Sequence, residues 1–255
     1  MVNLMNEDLK NFYKDRRVLV TGHTGFKGGW LSLLLLKLGA NVAGYALEPS
    51  TDPNFYDLGL NKKMGSNFND VRDRKALQDF FKKFQPEIVI HMAAQALVRP
   101  SYQDPVTTYE TNVMGTVNVL ETCRETLSVR SILVITSDKC YENQGENRPY
   151  IETDRMGGFD PYSSSKGCAE LVTAAYLKSF FATEKYGKDH QIAMASARAG
   201  NVIGGGDWSK DRIIPDCVKA VLRNESLVIR YPEAIRPWQH VLEPLYGYLL
   251  LAKSL

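Results

Sequence analysis

A doubly wound α/β fold, with helices covering both faces of a parallel sheet, follows from three features of this 255-residue sequence. Short β-branched segments alternate with longer helical ones along most of the chain. The first of them runs into a glycine-rich turn and then a leucine-rich helix. With 44% hydrophobic and 24% charged residues, the chain has enough apolar side chain to bury a sheet on two sides. That composition excludes a disordered chain and a disulfide scaffold.

The elements follow in order. RVLVT (17–21) is a buried strand, Gly22, Gly25, Gly28 and Gly29 follow it, and the apolar run from Trp30 to Leu38 continues as a helix. Gly39 has the position of a residue that closes a helix, and 41–46 is a second strand, completing a βαβ unit. The alternation predicts a strand at 64–68, a helix at 73–84 ahead of Pro86 and a strand at 87–91. It continues with a long helix at 105–124, a strand at 131–136, a helix at 161–182 and a strand at 191–198. The rhythm then changes. A loop with Gly204, Gly205 and Gly206 precedes a helix at 215–222, an isolated strand at 227–230 and a last apolar helix from 244. This predicts a nucleotide-binding domain over 1–200 and the start of a substrate lobe over 201–255, with the chain stopping inside a helix as though that lobe were incomplete.

Charge and cysteine usage narrow the function classes. Thirty-one basic against 29 acidic residues give a formal net charge of +2 with the signs mixed along the chain, which is no nucleic-acid footprint. Cys123, Cys140, Cys168 and Cys217 have neither metal-ligand nor CxxC spacing, so reduced thiols and no metal are expected. The run 30–38 is far too short to cross a bilayer, and the mixed-charge N-terminal segment has no signal-peptide pattern, so a cytoplasmic protein is expected.

Gly22, Gly25 and Gly28 put residues without Cβ where the chain turns, where backbone must approach a pyrophosphate, and where helix packs on strand. The helix N-terminus then offers free N–H groups and a positive dipole end to phosphate. The acid expected at the end of the second strand, on the adenine ribose, is replaced by Ala46. Glu48 either takes that role from the loop or faces solvent. No arginine stands near to receive a 2′-phosphate, which favours NAD over NADP.

Tyr162 and Lys166 lie four apart just after Pro161, on one face of a helix. An ammonium beside a phenol is expected to lower its pKa and make it a base toward an alcohol. Thr136, Ser137, Asp138 and Lys139 close the strand ILVIT at the end where open α/β sheets bind ligands, and they are hard to place by packing alone.

The motifs GHTGFKG, NDVRD (69–73), HMAAQ (91–95), TNVMGT (111–116), TSDKCYEN (136–143), MGGFDPYSSSKGCAE (156–170), RAGNVIGGGDW (198–208) and RPWQH (236–240) together resemble the extended short-chain dehydrogenase/reductase family, of Rossmann fold. Within it they are similar to the nucleotide-sugar 4,6-dehydratases, the CDP-glucose group in particular. The resemblance implies tightly held NAD and a nucleotide-sugar substrate. It implies that Tyr162 is the base for the sugar C4 hydroxyl, that Lys166 assists it, that Ser137 binds the same oxygen, and that Asp138 is the acid for the C6 hydroxyl. Lys139 stands where related dTDP-glucose enzymes carry Glu as the C5 base, so Lys139 or a water positioned by it is expected to take the C5 proton. Cofactor contacts implied are Gly22, Thr24, Gly25, Phe26, Lys27, Gly28, Glu48, Asp70, Val71, Ala93, Ala94 and Asn112, with Tyr162 and Lys166. Substrate contacts implied are Arg99, Arg198, Asn201, Arg212 and Arg236, guanidinium being suited to pyrophosphate oxygens. His91 and His240 are expected to be structural. The resemblance also implies a homodimer through paired long helices; Leu171, Val172, Ala175 and Tyr176 at helical spacing are compatible with such a face, and intramolecular packing explains them as well. A nucleotide-sugar epimerase of the same fold and a catalytically incompetent NAD-binding fragment are the alternatives.

Overall fold

The computed structural model describes residues 7–49, 54–145 and 148–255. The first six residues, part of the N-terminal segment read above, lie outside them. The elements run in the order α1 (Glu7–Tyr13), β1 (Arg17–Thr21), α2 (Phe26–Lys37), β2 (Asn41–Ala46), α3 (Asn54–Asp57), β3 (Gly65–Phe68), α4 (Arg74–Phe84), β4 (Ile88–His91), α5 (Val98–Gln103) and α6 (Pro105–Tyr109). They continue with α7 (Gly115–Arg124), β5 (Ser131–Ile135), α8 (Pro161–Ser179), β6 (Ala193–Ala197), β7 (Asn201–Ile203), α9 (Ile213–Arg223), β8 (Trp238–His240) and α10 (Leu242–Ser254).

β1 to β6 form one six-stranded sheet in the order β3-β2-β1-β4-β5-β6, with every pairing parallel. This is the doubly wound order, in which the direction of strand addition reverses between β1 and β4 and opens a crevice beyond the strand ends. Successive residues point to opposite faces. Val18 and Val20 of β1, with Ile88 and Ile90 of β4, enter the core beneath α1, α2 and α10, while Leu19 and Val89 enter the one beneath α4, α7 and α8. Strands apolar on both sides are what a sheet covered twice requires. No helix of the described residues is long and apolar enough to cross a membrane.

Three predicted elements differ. The helix predicted over 105–124 contains a π-helical stretch at Glu110–Met114, which turns Asn112 fully inward. The strand predicted at 227–230 does not form: Val228 and Ile229 are 82% and 50% exposed, with no strand edge to pair with. Trp238–His240 pairs instead, in parallel, with Asn201–Ile203 in a separate two-stranded sheet. The last helix, grouped with the second lobe from sequence, packs back on α1, α2 and β5, because Leu245, Tyr248, Leu249 and Ala252 carry its apolar face into the main core.

Candidate active site

The crevice begins where β1 meets β4. Thr21 is fully buried, and its Oγ1 accepts from the backbone N–H groups of Met92 and Ala93 at 3.1 Å each. It also bonds His91 Nδ1 at 2.7 Å, while His91 Nε2 bonds Thr116 Oγ1 at 3.1 Å. Burial, then the charge of Lys166, holds this imidazole down at about 3. His91 is therefore a neutral tie between strands and helix, as expected of it.

The glycine turn fits a dinucleotide. A Cβ on Gly28 would lie 2.0 Å from the Gly22 carbonyl oxygen, and one on Gly22, at φ +75°, would lie 2.8 Å from Ala93 N, so both positions are closed by the fold itself. Gly25 is different. Its φ is −81°, and a Cβ there would meet nothing nearer than 3.5 Å, so nothing in the fold demands glycine. Gly25 is the N-cap of α2, which has no side-chain cap and no acid in its first turn, so free N–H groups face open space. Those are the conditions for a pyrophosphate. Ala93 and Ala94 are half-buried beside the turn, and Thr24 is anchored by a 3.0 Å hydrogen bond to the Leu47 carbonyl. Glu48 is exposed beyond β2 and makes no bond among the described residues.

Other implied cofactor contacts are engaged within the protein. Val71 is a core residue, and Phe26 is 7% exposed in the core beneath α2. The Asp70 carboxylate takes three hydrogen bonds from Arg72, which outweigh burial and hold it below the usual range. Asn112 accepts from Gln95 N at 2.8 Å and donates to Gln95 O at 3.0 Å and Ser165 Oγ at 2.8 Å. It is a strap between the β4 loop and α8, so a direct contact of its side chain with the cofactor is not what the structure places there. Gln95 and Ser165 were not read from sequence.

Asp160 caps α8, accepting from Ser163 N at 2.9 Å, and Pro161 occupies the first turn. Ser101 of α5 accepts from Tyr162 N at 3.1 Å, fixing where the phenol enters the crevice. Ser137, at the end of β5, donates to Asp138 Oδ1 at 3.0 Å. Lys139 follows in the same short turn, its backbone N donating to Ser137 Oγ at 3.3 Å. Hydroxyl and acid thus meet at the strand end, near enough to Tyr162 for both to act on its phenol.

The expected depression of the Tyr162 pKa is not present. It is raised, because burial outweighs the hydrogen bond from Ser137 and the charge of Arg212, and Asp138 adds to the rise. Lys166 instead points its ammonium at the Ile135 carbonyl, 3.4 Å away. Burial, then repulsion by Lys27, lowers Lys166 from 10.5 to about 8. Lys27, in the first turn of α2, is brought to about 8 by burial and Arg212, against the attraction of Asp138. Two desolvated amines close to each other and to an uncapped helix end await negative charge.

The implied substrate arginines separate into two groups. Arg198 faces inward, bonded to Glu170 at 2.9 Å and to the Tyr141 hydroxyl at 2.7 Å, with its side chain 15% exposed. Glu170 also takes hydrogen bonds from Thr136 and Ser196. A free guanidinium for phosphate is therefore not available at 198. The signal that could have found this network is the spacing of Lys166 and Glu170, four apart on the buried face of α8. Arg212 pairs with Asp207 at 2.8 Å and Arg99 with Asp211 at 3.1 Å, both reaching the outer side of the crevice, while Arg236 is exposed and Asn201 half-buried on β7. His240 Nδ1 accepts from Leu242 N at 3.4 Å.

The chain is similar to several known proteins. The chain is 54% identical over 96% of its length to CDP-glucose 4,6-dehydratase of Salmonella typhimurium, spanning 68% of that enzyme. It is 27% identical to dTDP-D-glucose 4,6-dehydratase of Dictyostelium discoideum, over 84% of this chain and 50% of that one. Among solved structures, UDP-glucose 4-epimerase of Thermus thermophilus in complex with NAD is 27% identical with a TM-score of 0.80, covering 94% of this chain and 75% of its own. A dTDP-glucose 4,6-dehydratase from Streptomyces venezuelae shares the fold, with a TM-score of 0.81 at 22% identity over 93% of this chain and 72% of its own. Since the model of the NAD dependent epimerase/dehydratase family matches from residue 18 to residue 254, nearly the whole described chain, the chain belongs to that family.

Proposed function

We propose that this chain dehydrates a nucleotide-glucose across C5 and C6, with CDP-glucose as the substrate, giving a 4-keto-6-deoxy sugar and water. The observation that carries the reading is Ser137, whose hydroxyl donates to Asp138 Oδ1 at 3.0 Å close enough to Tyr162 for both to act on its phenol. That arrangement puts an acid beside the base, which a 4-epimerase does not need. The identity to the Salmonella CDP-glucose enzyme supports the cytidine base.

NAD, the cofactor of the family, supplies a two-electron acceptor for C4 and later the donor that reduces C6. Tyr162 accepts the C4 hydroxyl proton where positive charge from Lys166, one helical turn along, offsets the burial that raises its pKa in the ligand-free site, with Ser137 holding the same oxygen. A C4 ketone makes the C5 proton acidic, because the carbanion left behind is delocalised into the carbonyl. Lys139, or a water held by it, takes that proton. Asp138 gives its own to the C6 hydroxyl, which leaves as water. Arg99, Arg212 and Arg236 would receive the substrate pyrophosphate, Arg212 standing nearest the chemistry since its charge acts on both Tyr162 and Lys27.

Incubation with CDP-glucose and other nucleotide-glucoses, read by the alkali absorbance of a keto-deoxy sugar, tests the reading. Interconversion of C4 epimers without that absorbance would sink it. A homodimer goes with the reading: α6 and α8 pack together and present Val106 and Leu171, 66% and 63% exposed, and gel filtration at monomer mass would remove it. A cytoplasmic location is part of the same proposal, supported by four free cysteines.

A further inference from the structure

Asp211 holds two arginines on one oxygen. Its Oδ1 accepts from Arg99 Nη1 at 3.1 Å and from Arg230 Nη1 at 3.0 Å. The three residues come from separate parts of the chain: Arg99 from α5, Asp211 from the turn ahead of α9, and Arg230 from the stretch beyond it. Neither Asp211 nor Arg230 belongs to any of the motifs in the sequence. Two residues after Arg99, Ser101 accepts from the backbone N–H of Tyr162 at 3.1 Å, which sets the cluster at the rim of the crevice that holds the phenol.

The cluster is open to solvent, with the side chains of Arg99, Arg230 and Asp211 60%, 46% and 37% exposed. Apart from Leu227, every residue from 225 to 238 is exposed, and among the described residues the bond of Arg230 to Asp211 is the hydrogen bond that ties 226–237 to another element. Neighbouring Arg212 makes the contrast. Its partner Asp207 has a side chain only 4% exposed, and accepts from Arg212 at 2.8 Å and from Ser209 N at 3.1 Å, one buried carboxylate for one guanidinium. Asp211 is shared between two, which leaves a positive charge in excess where water reaches it. Ion pairs in such a place are held weakly, and a stronger anion can take them over. The pyrophosphate of a nucleotide sugar carries two negative charges and several acceptor oxygens, which guanidinium groups bind in pairs.

We propose that Arg230 is a further substrate-binding residue of this site, and that it and Arg99 pass from the Asp211 carboxylate to the pyrophosphate of the nucleotide sugar as it binds. The proposal rests on the nucleotide-sugar reading and not on which base the nucleotide carries.

The test is calorimetric titration of the NAD-bound protein with CDP, UDP and dTDP, using the variants Arg230→Met, Asp211→Asn and, as a charge control on α4, Arg74→Met. We expect Arg230→Met to bind the preferred diphosphate about tenfold more weakly. Asp211→Asn should bind it about two- to fivefold more tightly, because the competing carboxylate is gone. Asp211 has a φ of +60°, a conformation that Asn adopts as readily as Asp, so this variant removes the charge and keeps the turn. Arg74→Met should bind as the parent does, and melting temperatures with and without NAD should stay near the parent's in all three. Parental affinity in Arg230→Met would overturn the proposal, as would an equal loss in Arg74→Met. Weaker binding by Asp211→Asn would also overturn it, since the carboxylate would then be a staple that shapes the site and not a competitor. A fall in the melting temperature of Arg230→Met would do the same, by making Arg230 structural. A parent protein that bound none of the three diphosphates would instead overturn the nucleotide-sugar reading, and Arg230 with it.

Discussion

Glu170 on α8 and Arg198 just beyond β6 form an ion pair of 2.9 Å beneath the catalytic strand end, with side chains 3% and 15% exposed. Thr136 and Ser196 complete the carboxylate's shell. Removing one partner of such a pair leaves the other charge buried alone. Glu170→Gln should therefore lower stability by about 3 kcal/mol in urea unfolding near neutral pH. The sign of the pH dependence follows from the carboxyl's pKa, which burial raises but the bonds to Arg198, Thr136 and Ser196 bring, on balance, below the ordinary 4.5. Its contribution is complete above 4.5 and is lost as pH falls through the folded value. The gap between parent and Glu170→Gln should then narrow in acid; a gap constant with pH would contradict this account.

Lys166 titrates the opposite way. Its ammonium is brought from 10.5 to about 8, so between those values the unfolded chain holds a proton that the folded chain has released. Stability of the cofactor-free protein should rise with pH across that window, while below it the penalty of the buried ammonium is present in full. Lys166→Met should be more stable than the parent near neutral pH without cofactor, by about 1–3 kcal/mol, and lose the alkaline rise while losing activity. Denaturant titrations at a series of pH values check both.

Gly25 and Gly28 separate fold from ligand. Gly28→Ala forces a methyl to within 2.0 Å of the Gly22 carbonyl and should destabilise by about 1–3 kcal/mol or more. Gly25→Ala meets nothing closer than 3.5 Å and should leave the melting temperature near that of the parent while weakening NAD binding at least about tenfold, since the methyl occupies the space of the phosphate. A Gly25→Ala protein with parental NAD affinity would mean that the pyrophosphate does not lie there.

Asp138→Asn divides the reaction. The variant keeps a side chain of the same size beside Ser137 but loses the proton for the C6 hydroxyl. Keto-deoxy sugar formation should fall by about 10²–10⁴. Reduction of bound cofactor by substrate, followed in the near ultraviolet, should persist, because Tyr162 and Ser137 are intact. If both fell together, Asp138 would serve C4 and not C6.

What the sequence determined by itself was the local grammar. The period of apolar residues specified the strands of the large sheet, the glycines specified the turn, and Pro161 specified the start of α8, because each depends on residues within a few positions. Ser137 and Asp138 stood out because polar side chains at a strand end have no packing reason to be there, and Tyr162 because Lys166 follows it four residues on. Tertiary structure alone decided the rest. It paired Trp238–His240 with β7 and left 227–230 unpaired, since a strand needs an edge. It turned Arg198 and Asn112 inward, since a buried Glu170 and the Gln95 loop required partners. It raised the Tyr162 pKa where spacing alone pointed down, because desolvation depends on everything packed around a group and not on its neighbour four residues away. And it brought Tyr248 to Lys27, a meeting of residues far apart in the chain that only the packing of the last helix on the first βαβ unit could arrange.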